Sequence, residues 1–132
     1  MRTVVVGHVA TPEGEAALSR AVEEVRLREA RLVVVISHRG GRDLDENEAH
    51  QLEARDAELV TRLESSGIDF EVRTLVRGFE PAEDLISIAE TTDAELIVIG
   101  LRRRSPVGKL LLGSNAQRIL LDAPCAVLAV KG

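Results

Sequence analysis

A glycine-bounded, arginine-rich segment late in the chain has the residue types needed to bind an anion. The apolar run 96–99 ends at Gly100, three arginines occupy positions 102–104, and Gly113-Ser114 opens a helical pattern. The first N–H groups of a helix lack intrahelical partners and lie at the positive end of the helix dipole, so phosphate binds there without a dedicated side chain. The segment therefore predicts a phosphate site in which backbone donors at 113–114 act together with nearby arginines.

The same segment also has a purely structural interpretation. Gly100 and Gly113 would then only permit tight turns, and the arginines would be a solvated surface run. Three adjacent arginines repel one another unless an anion is near, although water and salt weaken that repulsion at a surface. The concentration of anion-binding features favours the phosphate site, and the structural interpretation stays open beside it.

Composition and charge exclude several classes of protein. The 132 residues fit one domain, 1–132, and the formal net charge of -5 opposes binding to nucleic acid or an anionic membrane. Phe70 and Phe79 are the chain's complete set of aromatic residues, so it lacks the stacking platforms of single-strand binders. No apolar window is long enough to span a bilayer. We expect a cytoplasmic protein without nucleic-acid or membrane partners.

Catalytic and metal-binding patterns are weak. His8, His38 and His50 share no metal-ligand spacing with carboxylates, so each is expected to be solvated or structural. Lys109 lacks the Gly-Lys-Ser/Thr context of a phosphate-binding P-loop, and Cys125 is expected to be an inert core thiol. The residues predict no catalytic set and no metal site.

Short apolar runs alternate with longer amphipathic segments along the whole chain, which is a βαβ pattern. Thr11 precedes Pro12 and the acidic residues Glu13 and Glu15, an order typical of a helix N-terminus. Gly67 is a predicted helix C-cap. The predicted strands are 3–7, 32–36, 70–76, 96–99 and 125–130, and the predicted helices begin at 12, 46, 82 and 114.

Five strands with helical crossovers predict an α/β fold, a right-handed, doubly wound open parallel sheet. Ligands bind such sheets outside the carboxyl ends of the strands, at the point where the strand order reverses. Segments 7–11, 37–41 and 100–114 follow predicted strands and could converge on one crevice.

Three motifs resemble the universal stress protein family over nearly the whole chain. They are Gly100-x2-Arg103-x9-Gly113-Ser114, the final strand pattern at 123–130, and the helix start at 11–18. The resemblance implies a flavodoxin-like, adenine-nucleotide alpha-hydrolase-like sheet of order 3-2-1-4-5. Many members of the family bind ATP, and they commonly form a homodimer joined through the fifth strand. The resemblance implies both properties for this chain.

The resemblance also implies roles for individual residues. Ser37 and Ile99 would flank the adenine, and Val9 would form a wall of the base pocket. Phosphate contacts from backbone or hydroxyl groups would come from Gly100, Gly113, Ser114 and Asn115.

This sequence departs from the family pattern at two places. Val9-Ala10-Thr11 aligns with an Asp-Gly-Ser segment, so a carboxylate near the nucleotide is missing. Arg103 replaces the middle glycine of the loop, where it could block close backbone approach or pair with the phosphates directly. We expect Arg103 to pair with phosphate, with Arg102 as a second candidate.

Two functions follow from these expectations. The first is a cytoplasmic stress-response module that binds ATP, with or without Mg²⁺, as a regulatory ligand; the family resemblance leaves slow ATP hydrolysis open. The alternative is a nucleotide-independent dimeric interaction protein with a vestigial pocket. In either case an apolar sheet edge invites pairing with a second copy. The homodimer contact would involve Ala126, Val127, Leu128, Ala129 and Val130.

Overall fold

The computed structural model describes residues 2–9, 11–37, 46–75, 81–102 and 113–132. Several sequence predictions lie outside these ranges. They concern Ala10, Arg103, Val76, and the loop segments 38–41 and 104–112.

The described residues form the predicted alternation of strands and helices. The strands are β1 (Thr3–His8), β2 (Arg31–Ser37), β3 (Phe70–Leu75), β4 (Leu96–Leu101) and β5 (Ala126–Lys131). The helices are α1 (Pro12–Arg28), α2 (Glu46–Ser66), α3 (Pro81–Thr91) and α4 (Ser114–Asp122).

All five strands are parallel, in the order β3-β2-β1-β4-β5. This confirms the fold class and the strand order. β1 occupies the centre, where Val4 pairs with Leu32 of β2 on one side and with Leu96 of β4 on the other. The order of the strands reverses between β1 and β4, so the carboxyl ends of these two strands define the place where a ligand is expected.

Alternate residues of the central strands face opposite layers of helices. Val4 and Val6 pack with α1 and α2, whereas Val5 packs with α3 and α4. Each of these valines is fully buried. Burying a side chain of this size stabilises the folded state by about 1.5–3 kcal/mol. The two apolar layers hold β1 rigidly at the middle of the sheet.

The ends of two helices follow the predicted chemistry. Thr11 caps α1, because its hydroxyl accepts a hydrogen bond from the Gly14 N–H at 3.1 Å, and Pro12 occupies the first helical position. α2 ends at Ser66, and Gly67 follows with a φ of 74°. Within the described ranges, none of the helices combines the length and the apolar character that a membrane crossing requires.

Candidate functional site

A cavity of about 210 Å³ opens at the carboxyl ends of β1 and β4, where the strand order reverses. Its walls come from the ends of these strands and the first turns of α1, α3 and α4. The lining includes Gly7, His8, Val9, Ile99, Gly100 and Asn115. One crevice therefore receives residues from several separate segments, as the topology requires.

Four of the predicted site residues line this cavity: Val9, Ile99, Gly100 and Asn115. Ile99 is only 5% exposed and contributes an apolar inner surface, whereas Val9 is 50% exposed. Both positions therefore place uncharged, apolar side chains at the cavity.

The other described candidates do not line the cavity. Thr11 caps α1, and Ser37 is the last residue of β2. Arg102 is exposed, and its Nε lies 3.9 Å from a carboxylate oxygen of Glu13. Gly113 and Ser114 form the exposed start of α4, directly before Asn115.

The N-terminus of α4 has no side-chain cap from the residues that the structure describes. Gly113 is the N-cap residue, with extended backbone (φ −62°, ψ 160°), and being glycine it offers no side chain for a capping hydrogen bond. The helical hydrogen bonds begin at Gly113, whose carbonyl oxygen accepts a hydrogen bond from the Gln117 N–H at 3.1 Å. Asn115, in the first turn of the helix, lines the cavity. The positive end of the α4 dipole therefore lies at the cavity, an arrangement suited to an anion.

Two glycines allow α1 to pack closely against the end of the sheet. A Cβ on Gly100 would overlap the backbone carbonyl oxygen of Glu13, and a Cβ on Gly14 would overlap that of Val9. Glycine is required at both positions because only a residue without Cβ lets the backbones come this close. Gly100 therefore shapes the cavity by packing, a role that the turn interpretation missed. Gly14, within the first turn of a helix, was the signal that could have indicated it.

His8, which is among the residues that line the cavity, belongs to a group of three interacting side chains. The His8 Nε2 lies 3.2 Å from Glu15 Oε1, and Arg62 of α2 donates to Glu15 Oε2 at 2.7 Å. The hydrogen bond from Arg62 lowers the pKa of the Glu15 carboxyl; partial burial opposes this, and the bond to His8 adds to it. The same hydrogen bond raises the pKa of Arg62. Glu15 is therefore ionised at neutral pH, and its contacts with His8 and Arg62 join β1, α1 and α2.

Sequence reasoning treated His8 only as a solvated or structural histidine. The structure places it at the cavity with a carboxylate partner, and His50 at an exposed site of α2. Across the described residues, no group of three or more His, Cys, Asp or Glu side chains is arranged to hold a metal ion.

The fold and the position of the cavity define a small, doubly wound α/β domain with a cavity at its switch point, where such folds bind ligands. The model of the universal stress protein family matches residues 1–131, and the chain belongs to this family.

Two relatives in sequence cover nearly the whole chain. A universal stress protein of Mycolicibacterium smegmatis is 45% identical over 128 residues, which cover 97% of this chain and 96% of the relative. A universal stress protein of Thermus aquaticus is 29% identical over 136 residues, covering 98% of each chain.

Solved structures show the same fold. A universal stress protein from Archaeoglobus fulgidus superposes with a TM-score of 0.78 at 36% identity, covering 99% of this chain and 98% of its own. A structure of the universal stress protein from the same organism in complex with dAMP gives a TM-score of 0.72 at 30% identity, with the same coverage of both chains.

Proposed function

We propose that this protein binds an adenine nucleotide, with ATP as the first candidate, in the cavity at the ends of β1 and β4. The observation that carries the proposal is the N-terminus of α4, which among the described residues has no side-chain cap and lies beside an apolar cavity at the switch point of the sheet. The dAMP complex of the Archaeoglobus fulgidus relative supports an adenine nucleotide as the ligand class.

The two ends of the cavity suit the two ends of a nucleotide. Val9 and Ile99 offer apolar surface to a base. The N–H groups of Ser114 and Asn115 suit phosphate oxygens, because backbone donors at a helix N-terminus bind anions without a dedicated side chain. In this proposal the Ser114 hydroxyl donates a further hydrogen bond, Gly113 permits close approach, and Gly100 keeps the wall of the cavity in place by letting α1 pack against the end of β4.

The remaining predicted residues have accessory roles in the proposal. Arg103 pairs with the phosphates in place of the family glycine, and Arg102 adds positive charge at the end of β4. Ala10 and Thr11 are further candidates for contacts with the nucleotide, and Ser37 borders the base. A Mg²⁺ ion, where present, would arrive with the phosphates of ATP.

We further propose that the nucleotide acts as a regulatory ligand in a stress response. The described residues around the cavity include one imidazole with a carboxylate partner and no nucleophile placed beside it. A slowly hydrolysed or unhydrolysed ligand then alters the dimer or the surface offered to a partner. The cytoplasmic location remains a prediction from the sequence.

A homodimer through β5 belongs to the same proposal. β5 lies at the end of the strand order and pairs with β4 on one side only. Ala126, Ala129 and Lys131 are exposed, whereas Val127, Leu128 and Val130 are half-buried and pack partly against the two core clusters. Pairing with the same strand of a second copy would satisfy the open edge and generate twofold symmetry.

One observation favours a second function, that of a nucleotide-independent dimeric interaction protein. Val9, at the rim of the cavity, supplies no carboxylate where the family pattern has one. Denaturing protein that was purified without added nucleotide helps to distinguish the two proposals. Release of material that absorbs like adenine would support a nucleotide site.

The decisive experiment compares ATP binding by the wild-type protein with binding by Ser114→Ala and Arg103→Glu, using isothermal titration calorimetry. A hydrogen bond to a charged group contributes about 1.5–3 kcal/mol, so we expect each variant to lose about tenfold or more in affinity. Ser65→Ala and Arg55→Glu make the same chemical changes on the exposed surface of α2 and should bind ATP like the wild type. Equal affinity in all five proteins would refute the assignment of the phosphate site.

A further inference from the structure

Helices α3 and α4 together form one side of the cavity. α3 contributes Pro81 and Leu85 to the lining, and α4 contributes Asn115, Ala116 and Ile119. Leu85 and Ile119 are buried in the same apolar cluster. The position of the α4 N-terminus at the cavity therefore depends on how α4 packs against α3.

An ion pair joins these two helices outside the cavity lining. Arg118 Nη2 of α4 lies 2.8 Å from Glu83 Oε1 of α3, and neither residue lines the cavity. Glu83 is in the first turn of α3. Arg118 follows Asn115 by three residues, so it lies about one turn along α4 from the end at the cavity. The pair thus connects the two helices close to the ends that line the cavity.

The Arg118 guanidinium also contacts its own helix. Its Nε lies 3.7 Å from Asp122 Oδ2, four residues further along α4. Because a guanidinium is a rigid planar fork, acceptors on two different helices fix its orientation better than one acceptor would. Arg118 and Glu83 are 39% and 52% exposed, and ion pairs as exposed as this contribute little to the free energy of unfolding. We therefore look for the effect of the pair in ligand binding.

Backbone donors bind a phosphate well only when they are directed at it. A hydrogen bond weakens steeply once the angle at the donor hydrogen falls below about 120°. A site that is already held in its bound geometry also loses less freedom on binding, and so binds more tightly. A contact that fixes the first turn of α4 at the cavity should therefore raise the affinity for phosphate.

We propose that Glu83 and Arg118 are positioning residues, which fix the first turn of α4 at the cavity and thereby set the affinity for the phosphate part of a ligand. The proposal rests on the proposed nucleotide site and adds two residues that determine its affinity without touching the nucleotide. Asp122 supports the Arg118 side chain from the same helix.

The two charges would act in opposite directions if they acted only through their electric field. Removal of the Glu83 carboxylate would then strengthen the binding of an anionic ligand, and removal of the Arg118 guanidinium would weaken it. Positioning predicts weaker binding in both cases, because either change breaks the same contact. It also predicts that the double variant loses no more affinity than either single variant.

The test measures the affinities for ATP and for adenosine by calorimetry, in the wild type, Glu83→Ala, Arg118→Ala and the double variant. Salt at about 0.15 M screens the field of the exposed charges. We expect each of the three variants to lose about two- to fivefold in ATP affinity, the range that a partly exposed ion pair supports. Adenosine, which has no phosphate, should bind all four proteins equally.

Arg20 and Glu23 provide the matched control. They form an exposed ion pair on α1, with Arg20 Nη1 and Glu23 Oε2 3.5 Å apart, and neither lines the cavity. Arg20→Ala and Glu23→Ala should therefore bind ATP like the wild type. Circular dichroism checks that every variant is folded at the temperature of the titration. If Arg118→Ala did not fold, Arg118→Gln would replace it, because glutamine keeps part of the aliphatic stem that packs on the surface.

The outcomes separate this inference from the proposed function. Unchanged ATP affinity in both single variants would overturn the inference and leave the nucleotide site intact. Tighter ATP binding by Glu83→Ala, additive losses in the double variant, or equal losses for ATP and adenosine would overturn it as well. Absence of ATP binding by the wild type would overturn both the inference and the proposed function. Similar, non-additive losses that are confined to ATP support the inference.

Discussion

Replacing Gly100 with alanine tests whether α1 really packs backbone to backbone against the end of β4. The added Cβ would overlap the carbonyl oxygen of Glu13 and lie within 2.6 Å of its carbonyl carbon. Both atoms belong to the backbone, so no side-chain rotation can relieve the overlap. α1 would have to move away from the sheet, together with its buried residues Ala17, Leu18 and Ala21.

Overpacking of this kind costs about 1–3 kcal/mol. For a domain of this size each kcal/mol lowers the melting temperature by about 4 °C, so Gly100→Ala should melt about 4–12 °C below the wild type. Thermal unfolding followed by circular dichroism measures the shift, and urea unfolding gives the free energy of unfolding independently.

Gly113→Ala is the matched control. A Cβ at this position meets no atom of the described residues within 4 Å, and the backbone φ of −62° suits any residue. We expect the free energy of unfolding to change by about 0.5 kcal/mol or less. If Gly100→Ala were as stable as Gly113→Ala, the close approach of α1 and β4 would be wrong, and with it the shape of the cavity.

The remaining predictions concern the ion pair and the sheet edge. Because folding lowers the pKa of Glu15 below its ordinary value of 4.5, its carboxylate stabilises the protein above that pH, and the effect is lost as the pH falls through the folded value. Glu15→Gln should therefore lower the free energy of unfolding at pH 7 by about 0.2–1 kcal/mol, as expected for a partly exposed pair, with the difference vanishing in acid urea titrations. For the dimer, sedimentation velocity should show two copies for the wild type and for the surface control Ala54→Asp, and a monomer for Ala129→Asp, which puts a carboxylate on the edge strand. A monomeric wild type at micromolar concentration would contradict the dimer.

Local sequence patterns were sufficient for the elements of the fold. The order Thr11-Pro12 marks the start of α1 as found, and the uniformly apolar segment after Arg31 forms a strand covered on both faces. Side-chain periodicity says nothing about which strands pair, so the topology rules predicted only a doubly wound parallel sheet, and the strand order came from the family resemblance.

The position of the candidate site could be predicted from the sequence, because the carboxyl ends of parallel strands lie at the same edge of the sheet. Val9, Ile99 and Asn115 meet at the cavity for that reason. Their contacts with a nucleotide remain a prediction.

The contact between His8 and Glu15 could not be predicted in the same way. It joins a strand to the next helix, and Arg62 reaches the same carboxylate from 47 residues away in sequence. No local spacing encodes such a meeting, because it depends on how α1 and α2 lie on the sheet. The close packing of Gly100 on Glu13 has the same origin.

Titration of the purified protein with ATP, with and without Mg²⁺, tests the central claim most directly. The account predicts micromolar binding by calorimetry and a melting temperature that rises with ATP concentration, since a ligand that binds only the folded state stabilises it. Absence of heat up to millimolar ATP, with an unchanged melting temperature, would contradict the nucleotide site and favour the nucleotide-independent interaction protein.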